Sequence, residues 1–184
     1  VKKLFLATAA LAVIATPAFA ADSDSKDFRI RANVKPECSI EDPENVNFGN
    51  LSINRAPGTD ALTLTTDYDN NYQNVWASCN YAAGITLKTE NGGLTTDEVN
   101  DGPDAADFTD IIYYHASLRP SDGSAFSPVF LNTESTPGKT RTRTQTDAFH
   151  DDAILRIVIP SGVNTKRPLA GQYSDVATVS LGPV

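Results

Sequence analysis

Apolar side chains recur at every second position in short, turn-bounded runs along this chain, and no segment of helical length repeats them every three to four. An extended backbone sends successive side chains to opposite faces, so period two marks strands buried on one side. The first run sets the pattern. Phe28, Ile30, Ala32 and Val34 fall on one face, with Arg29, Arg31 and Asn33 on the other and Lys26 and Lys35 flanking; the run leads into Cys38. Further strands are predicted at Val46–Gly49, at Leu62–Thr65 with Leu62 and Leu64 inward, at Val75–Cys79 and at Ile85–Lys88. Ile111–Leu118, Phe126–Leu131, Ala153–Ile159 and Tyr173–Leu181 follow, and Lys139–Gln145 reads as a solvated edge or hairpin arm. Residues 41–45, 53–60, 67–71 and 160–162 are turns or loops rich in Pro, Gly, Asn and Asp. Residues 90–110 read as an exposed polar loop with room for one irregular helical turn. Eight or nine short strands at this spacing predict an all-β chain folded as an antiparallel β-sandwich.

At 184 residues the chain has room for one ordinary domain. Lys2 and Lys3, the apolar run Leu4–Ala15 and the sequence Ala18-Phe19-Ala20 have the layout of a cleaved export signal over residues 1–20. The expected mature chain is then 21–184, with a basic opening segment at 21–35 and a sandwich at 36–184. Beyond the signal no apolar run approaches the ~20 residues that a membrane-spanning helix needs. In an exported chain Cys38 and Cys79 read as one disulfide. It would close about 42 residues, worth roughly 4 kcal/mol in the chain-entropy account.

Without the signal, 13 basic and 23 acidic residues give a net charge of −10, which lacks the basic footprint that nucleic acid requires. The charge is uneven. Residues 26–35 carry +3 and the rest −13. A basic strand on an acidic body points to a basic strand that docks on something acidic.

The residues that carry chemistry elsewhere are sparse here. His115 and His150 are the two imidazoles, and His150-Asp151-Asp152 comes without a nucleophile motif. A solvated loop is the expected setting for that triplet, and no enzyme activity is expected. Asp67-Tyr68-Asp69-Asn70 and Asp97–Asp110 supply oxygen ligands but match no defined calcium-loop spacing, so no metal or cofactor is assigned. Asn91-Gly92-Gly93 is a turn and not a phosphate loop. Trp76, beside Cys79, reads as core packing or, if exposed, as a sugar-stacking ring. Tyr173 and Asp175 read as a turn-fixing pair.

Three features then stand together: the alternation at 28–34 leading to Cys38, the run Val46-Asn47-Phe48-Gly49, and a C-terminal Ala170-Gly171-Gln172-Tyr173-Ser174-Asp175 followed by alternating Ala177, Val179 and Leu181. In these the chain resembles the spore coat protein U family, which includes subunits of archaic chaperone–usher pili. The resemblance implies an incomplete immunoglobulin-like sandwich that lacks its last strand. It implies that Phe28, Ile30, Ala32 and Val34 are donor side chains for the groove of a neighbouring subunit. It also implies that Tyr173, Ala177, Val179 and Leu181 line the acceptor groove and meet a periplasmic chaperone. The other expected partners are further pilus subunits and an outer-membrane usher, with the product displayed on the cell surface. The ending Gly182-Pro183-Val184 departs from the pilin habit, because Pro183 has no N–H to donate. The alternative is a monomeric secreted sandwich that binds a glycan or forms a coat, with its first strand paired into its own sheet.

Overall fold

The structure is a computed structural model that describes residues 24–70, 72–136 and 139–183. The expected signal at 1–20 lies outside the described residues, as do the first three residues of the opening segment. The chain divides into two units between Val34 and Lys35. Residues 24–34 take part in no β-ladder, and Lys26 forms an ion pair with Asp24 at 2.5 Å.

The second unit is all-β. In chain order its strands begin with β1 (Cys38–Ile40), β2 (Tyr68–Asp69), β3 (Gln73–Cys79) and β4 (Gly84–Thr89). The two-residue strands β5 (Leu94–Thr95), β6 (Phe108–Thr109) and β7 (Ile111–Ile112) come next. Then come β8 (His115–Arg119), β9 (Val129–Asn132), β10 (Thr140–Thr144) and β11 (Phe149–Ile159). The last are β12 (Arg167–Pro168) and β13 (Ala177–Gly182). Single 3-10 turns occupy Ala105–Asp107 and Ser161–Val163.

Two antiparallel sheets form the layers. The larger has the order β1-β3-β11-β8-β9, with β2 beside β11 past the end of β3; the smaller has the order β10-β4-β13. Small ladders join β5 to β7 and, in parallel, β6 to β12. Alternation decides which side chains meet between the layers. Val75, Ala77 and Cys79 of β3 face inward with Ala153, Leu155 and Ile159 of β11, all at most 5% exposed. From the smaller sheet Ile85 and Leu87 face them, at 0% and 2% exposed.

The disulfide joins Cys38 to Cys79 directly across β1 and β3, with Cα atoms 4.1 Å apart. Replacing both cysteines by Ser is expected to lower stability by about 4 kcal/mol, read as a fall in the urea midpoint. An unchanged midpoint would show that the ladder alone holds β1.

Several local expectations are corrected. Val46–Gly49 forms no ladder, and Leu62–Thr65 is reduced to one bridge between Leu64 and Ile53. Leu62 turns outward at φ 69°, a backbone state that costs a branched side chain and breaks the alternation. His150-Asp151-Asp152 is not a loop but the first part of β11. Trp76 is not core: Val75 and Ala77 occupy the inward positions, which leaves Trp76 on the outer face, 41% exposed. Its ring lies 5.9 Å from that of His150. Tyr173 and Asp175 do not pair with each other.

Among the described residues no three metal-ligating side chains gather, and no helix is long and apolar enough to cross a membrane.

Candidate functional site

β13 is the outermost strand of the smaller sheet, and among the described residues no strand pairs with its free edge. Its register on β4 sets Ala177 opposite Thr89, Val179 opposite Leu87 and Leu181 opposite Ile85. These six side chains therefore share one face. The three on β4 are buried, whereas Ala177 is exposed and Val179 and Leu181 are half-buried. The same face of the same sheet loses its cover at the last strand.

What lies beside β13 is a groove of about 1440 Å³. Its floor comes from both layers: Leu87, Ile112, Tyr114, Leu131, Leu155 and Ile159 all border it. One rim is Val176–Val179 together with Tyr173. The other is the irregular stretch 42–51 that follows β1. This second rim is held by side chains and not by a ladder. The Glu44 N–H donates to Gln73 Oε1 at 2.9 Å, and Gln73 Nε2 returns a bond to the Glu44 carbonyl at 3.0 Å. The Ser52 N–H donates to the Tyr68 hydroxyl, and the Phe48 ring meets Tyr68 edge-on with centroids 6.5 Å apart.

The Gly-x-Tyr-x-Asp stretch builds the first rim, each residue by a different means. At Gly171 a Cβ would stand 2.5 Å from Thr96 Oγ1 and 2.9 Å from Glu98 Cγ, so a larger residue there makes both side chains shift. Tyr173 donates its hydroxyl, shared between the carbonyls of Thr109 at 3.1 Å and Leu169 at 3.0 Å. Asp175 accepts from the Thr89 hydroxyl, from the Tyr114 hydroxyl at 2.9 Å, from Asn91 N–H at 2.9 Å and from Val176 N–H at 2.8 Å. Burial pushes the Tyr114 phenol well above its ordinary pKa, and the Asp175 carboxylate adds to the shift. Gly171→Ala is expected to cost about 1–3 kcal/mol through this overpacking, measured as a lower urea midpoint. A neutral result would mean that the loop at 96–98 gives way freely.

The residues singled out in the sequence take these places. Phe28, Ile30 and Val34 are 82%, 83% and 80% exposed, and Ala32 is exposed with them. Cys38 and Cys79 form the disulfide. Tyr173, Ala177 and Val179 border the groove, while Leu181 packs against the core beyond the bordering residues. The 42–51 rim went unread in the sequence, because its anchors, Gln73 and Tyr68, lie a turn and a strand away. The reach of Asp175 to Thr89 and Tyr114 was equally invisible, since those partners are 86 and 61 residues distant.

The groove is larger than the ordinary small-molecule pocket, for which about 300–1,000 Å³ is usual. An apolar floor lies beneath an edge that, among the described residues, no strand pairs with, the arrangement that an added strand can fill. Comparison of the chain with models of known families, with curated proteins and with solved structures finds no match.

Proposed function

We propose that this chain is a structural subunit of a surface fibre, assembled head-to-tail as each copy lends its opening segment, residues 21–35, to the groove of the next. The reading takes the second unit as an immunoglobulin-like sandwich short of one strand, like the pilus subunits of the family it resembles. The observation that carries it is a coincidence within one chain: an apolar groove along the bare edge of β13, and four apolar side chains at period two that stand exposed. Four inserted side chains at ~1.5–3 kcal/mol each, less for Ala32, supply several kcal/mol per joint before ordering costs. Main-chain pairing along β13 adds to this and sets register. Donor and acceptor are different surfaces, so the contact does not close on itself and runs on as a filament.

An exposed groove of this kind is prone to mispairing. Before assembly a periplasmic chaperone would cover it with a strand of its own, and an outer-membrane usher would exchange that strand for the next subunit's. The product would stand on the cell surface, in the setting of adhesion or biofilm.

A chain lacking 21–35 is expected to fold, to stay monomeric, and to gain thermal stability when a synthetic peptide of residues 24–36 is added. A scrambled peptide of the same composition should do nothing. Normal polymer from the shortened chain would end the proposal. The exposed Trp76 favours the second reading, a glycan-binding monomer. A long-lived monomer that gains nothing from the peptide but binds a glycan array through Trp76 would establish it.

A further inference from the structure

The groove has one charged rim, and the segment proposed to enter it carries the opposite sign. On the 42–51 rim both Asp42 and Glu44 border the groove. Pro43 lies between them; it fixes its own φ and biases Asp42 toward an extended backbone. Gln73 grips the Glu44 backbone from both sides. The neighbouring Glu41 carboxylate already accepts from the backbone N–H of Trp76 at 3.2 Å. Those of Asp42 and Glu44 have no hydrogen-bond or ion-pair partner among the described residues.

The opening segment matches this arrangement. Arg29 and Arg31 are two residues apart on the face opposite Phe28, Ile30 and Ala32, and their guanidiniums are likewise without partners among the described residues. In an extended strand their Cα atoms stand ~6–7 Å apart, close to the reach between Asp42 and Glu44 across one proline. When the apolar face points into the groove, the arginines are left at its mouth beside the rims. The other charged groups on the groove are Asp175, whose oxygens are taken up by four donors, and Lys88 on β4.

We infer that Asp42 and Glu44 receive Arg29 and Arg31 of the incoming second copy, and that this two-by-two charge match selects the donor and sets its position along the groove. The inference rests on the groove being the acceptor for another copy. Ion pairs at a wet rim govern encounter and register more than final strength. The signature is therefore kinetic and salt-dependent.

The test uses the full chain, refolded by slow dilution, with oligomer ladders on unheated SDS gels read over time. At low ionic strength, Arg29→Glu with Arg31→Glu should slow ladder growth about tenfold or more. Asp42→Lys with Glu44→Lys should do the same. The chain carrying all four substitutions should recover the rate, and ~0.5 M salt should erase the differences. Asp42→Asn with Glu44→Gln, which keeps shape and removes charge, gives an intermediate rate and guards against misfolding of the lysine variant.

Reversals that leave the rate unchanged, while an Ile30 substitution still abolishes the ladder, overturn the charge match and leave the groove reading intact. A slow Asp42/Glu44 variant beside an unaffected Arg29/Arg31 variant overturns it too, and places the effect of the acids in the shape of their own rim. No ladder from the unmodified chain removes the groove reading and this inference together.

Discussion

The full chain carrying Ile30→Asp is expected to fold with the urea midpoint of the unmodified protein and yet to form no SDS-resistant ladder. Ile30 is 83% exposed and belongs to no β-ladder, and changes at such surface positions usually stay within about 0.5 kcal/mol. In a joint the same position faces an apolar floor. There the substitution forfeits the burial of an isoleucine, about 2–3 kcal/mol, and forces a carboxylate against an apolar floor, which costs several kcal/mol more. Together these exceed about 5 kcal/mol, more than a thousandfold in joint stability. Ile30→Val, which removes about one methylene, should keep the ladder. Normal assembly of the aspartate variant would show that Ile30 does not enter the groove.

The second large effect belongs to Asp175. Asp175→Ala is expected to cost about 2–6 kcal/mol, because it removes the acceptor of two interior hydroxyl donors at ~1–3 kcal/mol each. Thr89 is 1% exposed and Tyr114 2%, so water cannot easily replace the lost carboxylate. That is a large share of the ~5–15 kcal/mol that holds a typical domain together. The double variant with Tyr114→Phe should lose less than the sum of the two single changes, since one stranded donor disappears. Additive losses, or a cost under about 0.5 kcal/mol, would remove Asp175 from its place at the head of β13.

The Tyr114 phenol gives the same contact a pH signature. Its folded-state pKa is raised, so its contribution is complete below the unfolded value near ~10 and disappears as pH climbs toward the folded one. The stability gap between the unmodified chain and Tyr114→Phe should hold from neutral pH to ~10 and narrow above it. A gap that narrows on the acid side instead would contradict this.

Much of the sandwich was legible because one periodicity governs it. Val75, Ala77 and Cys79, then Leu155, Ile157 and Ile159, and then Ala177, Val179 and Leu181 keep strict alternation, and each set shares a face of its strand. The same rule applied to Val75, Ala77 and Cys79 puts Trp76 on the outside, against the core reading that its nearness to Cys79 suggested. Residues 149–152 were hidden because β11 runs past the point where its outward positions are polar, and His150 and Asp152 look like loop chemistry. Val46–Gly49 has strand composition but takes its bonds from side chains, which a pattern of apolar residues does not reveal. The Gly-x-Tyr-x-Asp stretch was recognisable as a motif, yet its reasons are tertiary: a close approach at Gly171, two carbonyls for Tyr173, four donors for Asp175. Alternation at 28–34 was plain, and it says nothing of which molecule supplies the other half.

The crosslink between Cys38 and Cys79 has a mechanical side. In a polymer joined through residues 21–35, a pull enters each subunit at Lys35 and reaches Cys38 three residues later. There it passes through a covalent bond to Cys79, and β3 shares seven registered residue pairs with β11, near the middle of the larger sheet. Tension is thus spread across the sheet in shear, and the short outer strand that takes the first strain is spared from being unzipped one rung at a time.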